Sequence, residues 1–340
     1  MKRLFYTLLF CLPCVLIACG GSDDTLGGDD NPPVVVPPDE ETVDSRLLYN
    51  GIRLPEQWPP VRSSSSELEK GMSPFYLSNK PSVINISVGR QLFVDNFLIE
   101  STNLKRTFYY PEYYSGNPIL TPEQDWEKTG TKGAAFAAPF SDGVWYDEKE
   151  GKYKMWYMAG GGSYATNGAG ITCYAESTDG IRWTKPTLSI VAGTNIVDYN
   201  SERDASVIWM DKQESNASKR YKMFLVARES GKWRYHYKTS PDGKVWRAAA
   251  QSEPIADRST VYKNPFRNVW VYSMRHNVRV NANKLVRARD YNENADPEAG
   301  TKKAEALLSA FWFGPWANEQ RHTDYPNIAP AIYNQDATPY

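Results

Sequence analysis

The fold of this chain is decided by three segments, Gly143-Val-Trp-Tyr-Asp147, Lys152-Tyr-Lys-Met-Trp-Tyr-Met-Ala159 and Ser177-Thr-Asp-Gly-Ile-Arg-Trp183. Each of them occurs a second time further along the chain. The second copies are Val207-Ile-Trp-Met-Asp211, Arg220-Tyr-Lys-Met-Phe-Leu-Val-Ala227 and Ser240-Pro-Asp-Gly-Lys-Val-Trp246. The sequence therefore contains two copies of one unit that is about 65 residues long.

Each unit is built from short runs of aromatic and β-branched residues, separated by turn dipeptides such as Asp-Gly. This pattern is typical of an antiparallel β-meander. A sheet unit that repeats at this period buries its faces against neighbouring copies, as the blades of a β-propeller do. The repeat therefore predicts an all-β fold of the propeller type.

The propeller is expected to be incomplete in this chain. A third, less regular unit begins at Asp257-Arg-Ser-Thr-Val-Tyr262 and continues through Asn268-Val-Trp-Val-Tyr-Ser273. The last residues, Asn334-Gln-Asp-Ala-Thr338, resemble Arg203-Asp-Ala-Ser206, the opening of the second unit. A blade cut at its first strand leaves sheet edges unpaired. We therefore expect residues 83–340 to form a propeller domain that is truncated at its C-terminus.

The first 19 residues have the features of a lipoprotein signal peptide. Lys2 and Arg3 precede an apolar stretch that is too short to span a bilayer comfortably. The stretch ends in Leu16-Ile-Ala-Cys19, which resembles a bacterial lipobox with Cys19 as the lipidated residue. Gly20-Gly-Ser-Asp-Asp24 resembles the acidic export signal of surface lipoproteins. These segments predict an outer-membrane lipoprotein, anchored to the membrane through Cys19 and exposed at the cell surface.

Residues 20–82 are expected to form an acidic, Pro- and Ser-rich tether and an N-terminal extension that precede the propeller domain. The part from residue 20 to residue 45 holds eight acidic residues and no Lys or Arg, and it includes Asn31-Pro-Pro-Val-Val-Val-Pro-Pro38. Four consecutive serines, Ser63 to Ser66, continue the polar character. Such a composition cannot bury a hydrophobic core, which favours a solvated and partly polyproline segment.

Composition excludes several classes of function. The net charge is −1 and no dense basic run occurs, so nucleic-acid binding is not expected. Three of the four cysteines lie in the leader, which leaves one thiol in the folded domain, and the three histidines show no ligand spacing. We therefore predict no metal site and no other cofactor, and no motif indicates a protein partner. The cysteines are Cys11, Cys14, Cys19 and Cys173, and the histidines are His236, His276 and His322.

Three aspartates mark the starts of the inner strands, at the end of the blades where a central channel opens. They are Asp142, Asp204 and Asp257, one for each unit. Taken singly, each is also a residue type that forms hydrogen-bonded turns. Together, carboxylates that converge on a pit suit glycosyl-transfer chemistry, which requires one acid and one base or nucleophile. Crowding of like charges raises the pKa of one of them, as the acid requires.

Further residues are expected at the same end of the blades. In a meander whose first strand starts at the channel, the loop between the second and third strands lies at that end as well. The predicted substrate-binding residues are Arg203, Arg258, Arg228, Arg275, His276, Tyr164 and Trp126. The two Ser-x-Asp-Gly-x-x-Trp segments are expected at the opposite end, with Asp179 and Asp242 as turn formers and Trp183 and Trp246 as packing anchors.

Several of these motifs resemble a known group of enzymes. Gly116-Asn-Pro-Ile-Leu120 with Trp126, Asp142 before Val-Trp-Tyr-Asp147, and the pair Arg203-Asp204 are similar to segments of secreted five-bladed-propeller glycosidases, the relatives of glycoside hydrolase families 32, 43, 68 and 130. The resemblance implies a five-bladed β-propeller. It also implies that Asp142 is the base or nucleophile, Asp204 the transition-state stabiliser and Asp257 the general acid.

The sequence thus indicates a glycosidase that hydrolyses an extracellular oligosaccharide or polysaccharide. Two alternatives stay open. Relatives of family 130 include phosphorylases, so phosphate is a possible acceptor. A propeller that binds glycans without cleaving them needs only aromatic and polar side chains at the channel. The sequence does not identify the glycan. The stereochemical outcome depends on the separation of the carboxylates, which is a property of the folded structure.

Overall fold

The structure, a computed structural model, describes residues 46–338 with short gaps. The gaps are residues 49, 62–63, 65–67, 69–73, 79, 88–89, 129–134, 161, 165–169, 282–283, 306–308 and 317–318. The predicted signal peptide, Cys19 and residues 20–45 of the predicted tether lie outside the described residues. Within the described ranges, no helix combines the length and the apolar composition that crossing a membrane requires.

The first repeat forms one antiparallel blade, blade 1. A short helix, α1 (Asp125–Lys128), precedes it. Two short strands lie end to end along the same edge of the third strand and flank Asp142. The strands of blade 1 are β1 (Ala137–Ala138), β2 (Val144–Asp147), β3 (Lys152–Ala159), β4 (Gly170–Ser177) and the first part of β5 (Ile196–Met210).

Strand β5 is shared between two blades. Ile196 and Asp198 pair with β4, whereas the stretch from Ser206 to Met210 pairs with the next strand along the chain. The long strand thus leaves blade 1 as its outer strand and enters blade 2 as its inner strand. The remaining strands of blade 2 are β6 (Tyr221–Glu229), β7 (Lys232–Ser240) and β8 (Arg247–Gln251).

Blade 3 is a separate four-stranded antiparallel sheet with the order β12-β11-β10-β9. Its strands are β9 (Thr260–Asn264), β10 (Val269–Asn281), β11 (Lys284–Asn294) and β12 (Ala310–Phe313). A helix, α2 (Pro297–Lys303), lies between β11 and β12. Its N-cap is Asp296, whose side chain accepts hydrogen bonds from the backbone N–H groups of Glu298 and Ala299.

Aromatic side chains fill the spaces between successive blades. Trp156, Tyr174 and Tyr221 are fully buried between blades 1 and 2. Trp270 and Tyr272 of blade 3 are buried against Phe224 of blade 2. Packing between successive blades therefore accounts for these aromatic residues of the repeats.

The expected all-β, incomplete propeller is confirmed. Successive meanders stack face to face, and in the described residues the two sheets do not close into a ring. Residues before Val83 also contribute to the core: Leu68 is buried against Val278 and Phe311, and the Trp58 ring meets that of Tyr291 edge-on. Part of the predicted N-terminal extension therefore packs against blade 3.

The two Asp-Gly turns have the same hydrogen bonds, as their sequences predict. Ser177 Oγ accepts from the backbone N–H groups of Asp179 and Gly180, and Asp179 Oδ1 accepts from the next two. Ser240 and Asp242 repeat this arrangement in blade 2. These turns lie at the end of the blades opposite the three aspartates, so Asp179 and Asp242 are confirmed as turn residues.

Gly243→Ala is expected to lower the free energy of unfolding by about 2–4 kcal/mol. Gly243 has φ +77°, and a Cβ atom there would overlap the ring of Trp156, whose Nε1 donates to the Gly243 carbonyl at 2.6 Å. The cost combines left-handed backbone strain with overpacking. Gly231 is a matched control because it has the same φ with no atom near its Cβ position. In urea denaturation, Gly231→Ala should lose only about 1 kcal/mol; equal losses in the two variants would contradict this account.

Buried ion pairs join the blades at the end where the inner strands finish. Asp147, at the end of β2, contacts Lys154 Nζ of its own blade at 3.0 Å and Arg220 Nη2 of blade 2 at 2.7 Å. Asp211, at the end of β5, repeats this with Lys222 at 3.1 Å and Lys263 of blade 3 at 2.9 Å. The aspartate that closes each copy of the inner-strand motif therefore ties its blade to the following one.

Acid is expected to weaken these contacts. Burial acts to raise the pKa of Asp147, but hydrogen bonds from Arg220, Tyr221 and Lys154 outweigh it and hold the pKa well below its ordinary value. A lowered folded-state pKa gives stabilisation that is present above an unfolded pKa of about 3.9 and is lost as the pH falls through the folded value. Asp147→Asn should therefore show a stability deficit in urea denaturation at pH 7 that shrinks below about pH 4. A deficit that is constant from pH 7 to pH 3 would contradict this prediction.

Candidate active site

Asp142 is held at the break between β1 and β2. Ser141 has φ 68° and Gly143 has φ 120°, so the backbone turns sharply on both sides of the aspartate. A Cβ atom on residue 143 would lie 2.7 Å from the carbonyl oxygen of Ile208. The Ile208 N–H in turn donates to the Asp142 carbonyl at 2.6 Å. Close approach of the inner strands of blades 1 and 2 thus fixes the position of Asp142.

The Asp142 carboxylate is completely buried and paired with Arg203. Arg203 Nη2 lies 3.0 Å from Oδ1 and 3.2 Å from Oδ2, and the Phe140 N–H donates to Oδ2 at 2.9 Å. The side chain of Asp142 has 0% exposure. Burial raises the pKa of Asp142 above its ordinary value, although Arg203 acts in the opposite direction. Asp142 therefore binds the Arg203 guanidinium and fixes its position.

Asp204 lies at the same end of blade 2 and is partly accessible. Its Oδ2 accepts from the backbone N–H of Arg258 at 2.7 Å, and its Oδ1 lies 3.3 Å from Arg258 Nε. The side chain is 13% exposed. Burial raises the pKa of Asp204, and the negative charge of the neighbouring Asp257 adds to the effect. Arg258 has φ 57°, a left-handed conformation that directs its N–H towards this carboxylate.

Asp257 is the most accessible of the three carboxylates, at 23% side-chain exposure. It forms an ion pair with Arg275, whose Nε also donates to the Asp257 carbonyl at 3.2 Å. The Tyr333 hydroxyl donates to Oδ2 at 3.3 Å. Asp257 therefore has a cation on one side and a phenol on the other.

The structure brings the three predicted aspartates to one end of the blades, and each is paired with an arginine. We call this end, defined by Asp142, Asp204 and Asp257, the mouth. A cavity of about 290 Å³ lies beside it between the inner strands, lined by residues that include Asp142, Trp145, Ile208 and residues 336–338. Among the described residues, no group of three or more His, Cys, Asp or Glu side chains is placed to hold a metal ion.

The other predicted binding residues have partners of their own. Trp126 Nε1 donates to Asn195 Oδ1 at 3.0 Å within the packing of blade 1, and the Tyr164 ring meets Tyr199 at 6.5 Å. Arg228 lies 3.7 Å from Glu202. His276 Nδ1 lies 3.0 Å from the buried Asp290, and this hydrogen bond raises the pKa of His276. These contacts define roles outside the aspartate cluster.

The sequence analysis did not select three further residues of the mouth, which are Phe140, Arg289 and Tyr333. The Arg258 guanidinium lies 4.0 Å from the Phe140 ring and 5.2 Å from the Tyr333 ring. Arg289 is fully buried and donates to the carbonyls of Arg258 and Tyr333 at 2.9 and 3.3 Å. Tyr333 directly precedes the blade-like motif at 334–338, which was a usable signal. Arg289 has no local motif that distinguishes it from other arginines.

The chain matches no known protein-family profile. It also matches no curated protein sequence. Among solved structures, it is similar to a fructofuranosidase from Schwanniomyces occidentalis complexed with fructosylnystose, with 14% identity over 53% of this chain and 34% of that one, at a TM-score of 0.37. A β-fructofuranosidase from Bombyx mori in complex with sucrose has 12% identity over 51% of this chain and 37% of that one, at a TM-score of 0.36.

A third similar structure is an α-L-arabinanase from Cellvibrio cellulosa complexed with arabinohexaose. It has 9% identity over 58% of this chain and 67% of that one, at a TM-score of 0.36. The chain spans about a third of the length of the two fructofuranosidases.

Proposed function

We propose that this protein is a glycoside hydrolase acting on an extracellular oligosaccharide or polysaccharide, with Asp204 and Asp257 as its two working carboxylates. The observation that carries the proposal is the meeting of these two side chains, from successive blades, at one partly accessible mouth. Glycosidic cleavage needs two carboxyl groups in different protonation states on either side of the scissile bond. The differing surroundings of Asp204 and Asp257 favour such a division.

Asp204 suits the general acid. Its raised pKa keeps a proton available closer to neutral pH, and this proton would pass to the glycosidic oxygen as the bond to the sugar breaks. Asp257 would then attack the anomeric carbon, or would accept a proton from the water that does so. The resemblance implied other roles, with Asp204 as the transition-state stabiliser and Asp257 as the general acid. The burial of Asp204 is the physical reason for assigning it the role of the acid here.

Asp142 acts in this proposal through Arg203 and not on the sugar. Its carboxylate has no exposed surface, and it holds the guanidinium whose Nε donates to the Asp204 carbonyl at 3.2 Å. Asp142 is thus a positioning residue for the backbone that carries the acid. The resemblance implied a base or nucleophile at this position, which would require the carboxylate to reach the substrate.

Anchoring through Cys19 at the cell surface belongs to the same proposal. It is supported by the lipobox-like Leu16-Ile-Ala-Cys19 and by the acidic segment that follows it. A surface position would give the mouth access to glycans that are too large to enter the cell.

The proposal is tested by incubating the full chain with a panel of plant and host glycans and measuring both released sugar and binding. Released sugar supports hydrolysis and identifies the substrate. A second candidate, glycan capture without cleavage, is favoured by one observation: every aspartate of the mouth already has an arginine partner. Binding without release would establish that candidate, and release that depends on added phosphate would indicate a phosphorylase.

A further inference from the structure

Two arginines on one strand of blade 3 carry positive charge that no ion pair balances. Arg287 and Arg289 are two positions apart on β11, so their side chains share one face of the sheet. Arg289 lies directly opposite Arg275, which binds Asp257, so this face is the one that borders the mouth. Within the described ranges, no acidic side chain forms an ion pair with Arg287 or Arg289. The other arginines of the mouth, in contrast, are each paired with an aspartate.

Arg289 is a buried charge with neutral partners. It donates to Ser273 Oγ at 2.9 Å, to the Ser273 carbonyl at 2.5 Å, and to the carbonyls of Arg258 and Tyr333. Burial lowers the pKa of Arg289, whereas the charge of Asp336 opposes this from a distance. Asp336 itself accepts from Asn334 at 2.9 Å. Arg289 therefore fixes the backbone of Arg258 and Tyr333 and adds positive potential beneath them.

Arg287 is exposed and has an aromatic partner. Its guanidinium lies 4.6 Å from the centre of the Tyr333 ring. The same ring has the guanidinium of Arg258 at 5.2 Å and that of Arg275 at 6.0 Å. Three cations thus surround one phenol, and the phenol binds Asp257. A guanidinium stacked on a ring uses its flat face, which leaves its in-plane N–H groups free to donate.

We infer that Arg287, stacked on Tyr333 beside Arg258, forms an oxyanion subsite of the mouth that takes the carboxylate of a uronic-acid sugar. The fork of in-plane N–H donors on a guanidinium matches the two oxygens of a carboxylate. The surplus charge of Arg287 and Arg289 supplies the attraction, and the Tyr333 ring holds the Arg287 guanidinium in place. This inference rests on the proposed function, because it assumes that the mouth binds glycans. It adds that the substrate is acidic.

The subsite is tested with matched charged and neutral ligands. The full chain would be titrated calorimetrically with trisaccharides of galacturonic, glucuronic and mannuronic acid, and with their methyl esters, which keep the shape and lose the charge. At least one acid should bind about tenfold more tightly than its ester, a preference that falls with added salt. Arg287→Gln should remove this preference, because it should lower the affinity for the acid much more than the affinity for the ester. Arg247→Gln, at an exposed position of β8, is the matched control and should keep the preference.

The possible outcomes separate the subsite from the proposed function. If acids and esters bind equally and Arg287→Gln changes neither, the oxyanion subsite is wrong while glycan binding stands. If no glycan of either this set or the wider panel binds, both the subsite and the proposed function are wrong. In a third outcome, inorganic phosphate binds in an Arg287-dependent way and the protein does not prefer the acids over the esters. The arginines would then bind a free anion, which also overturns the inference. Thermal unfolding of Arg287→Gln should match that of the parent, because the side chain is exposed.

Discussion

Asp204→Asn is expected to lower the rate of sugar release by at least about a hundredfold, while glycan binding largely persists. General acid catalysis contributes about 10²–10⁴-fold to a reaction rate. The amide keeps the size of the side chain and one oxygen that can accept the Arg258 N–H, but it has no proton to give at neutral pH. The kcat should therefore fall with little change in KM, which is the pattern of a group that acts mainly in the transition state.

The control for this experiment lies on the same strand. Glu202→Gln removes a carboxylate two positions away, on the same face of β5, where Glu202 lies 3.7 Å from Arg228. It should leave kcat within about twofold of the parent, because the exposed pair contributes little. Loss of sugar release in both variants would show that activity depends only on the overall charge of the mouth. Unchanged release in Asp204→Asn would remove Asp204 from the chemistry, and Asp257 would then be the acid to test.

The repeated units were the part of the fold that the sequence revealed most directly. The Ser-x-Asp-Gly-x-x-Trp turns are local patterns, and local hydrogen bonds form them in both blades. The sharing of β5 between blades was not visible. Strand β5, Ile196 to Met210, pairs with β4 at its start and with β6 towards its end, and nothing local distinguishes such a shared strand from two strands joined by a loop.

The site was predicted in part. Asp142, Asp204 and Asp257 do meet at one end, because Asp142 and Asp257 lie shortly before β2 and β9, and Asp204 lies in β5 just before the stretch from Ser206 that pairs with β6. Their individual surroundings depend on contacts across blades. Asp142 is buried by Arg203 from 61 positions further along the chain, and Asp257 meets Tyr333 from 76 positions further along. Periodicity along one strand contains no information about such partners.

The roles of aromatic residues were also not predictable from the sequence alone. Trp126 was expected at the substrate, yet its indole donates to Asn195 within the packing of blade 1. Tyr333, which no motif selected, lies among the arginines of the mouth. An indole or a phenol suits both a core and a sugar-binding surface. Only the three-dimensional neighbours decide between these roles.

The largest effect on stability is expected from Arg203→Met, which should lower the free energy of unfolding by about 3–5 kcal/mol. The substitution leaves the Asp142 carboxylate buried with no cation, and such a charge is much costlier than the intact pair. Thr172 Oγ1 also loses the N–H that Arg203 donates at 2.6 Å. Urea denaturation at pH 7 measures the loss. Arg228→Met is the matched control, because its exposed contact with Glu202 should contribute less than about 1 kcal/mol.

The pH dependence distinguishes this cause from a simple loss of packing. Without Arg203, the effect of burial on Asp142 loses its main opposing charge, and the folded-state pKa rises further above the unfolded value of about 3.9 although the Phe140 N–H still lowers it. A raised folded pKa means that the protonated form is favoured in the folded chain, so stability is lost as the pH rises through that pKa. The deficit of Arg203→Met should therefore be smaller at pH 5 than at pH 7. The double variant with Asp142→Asn should recover part of the loss at pH 7, because it removes the unpaired charge. A deficit that is independent of pH and additive in the double variant would show that Arg203 stabilises the blades through its contacts with neutral groups alone.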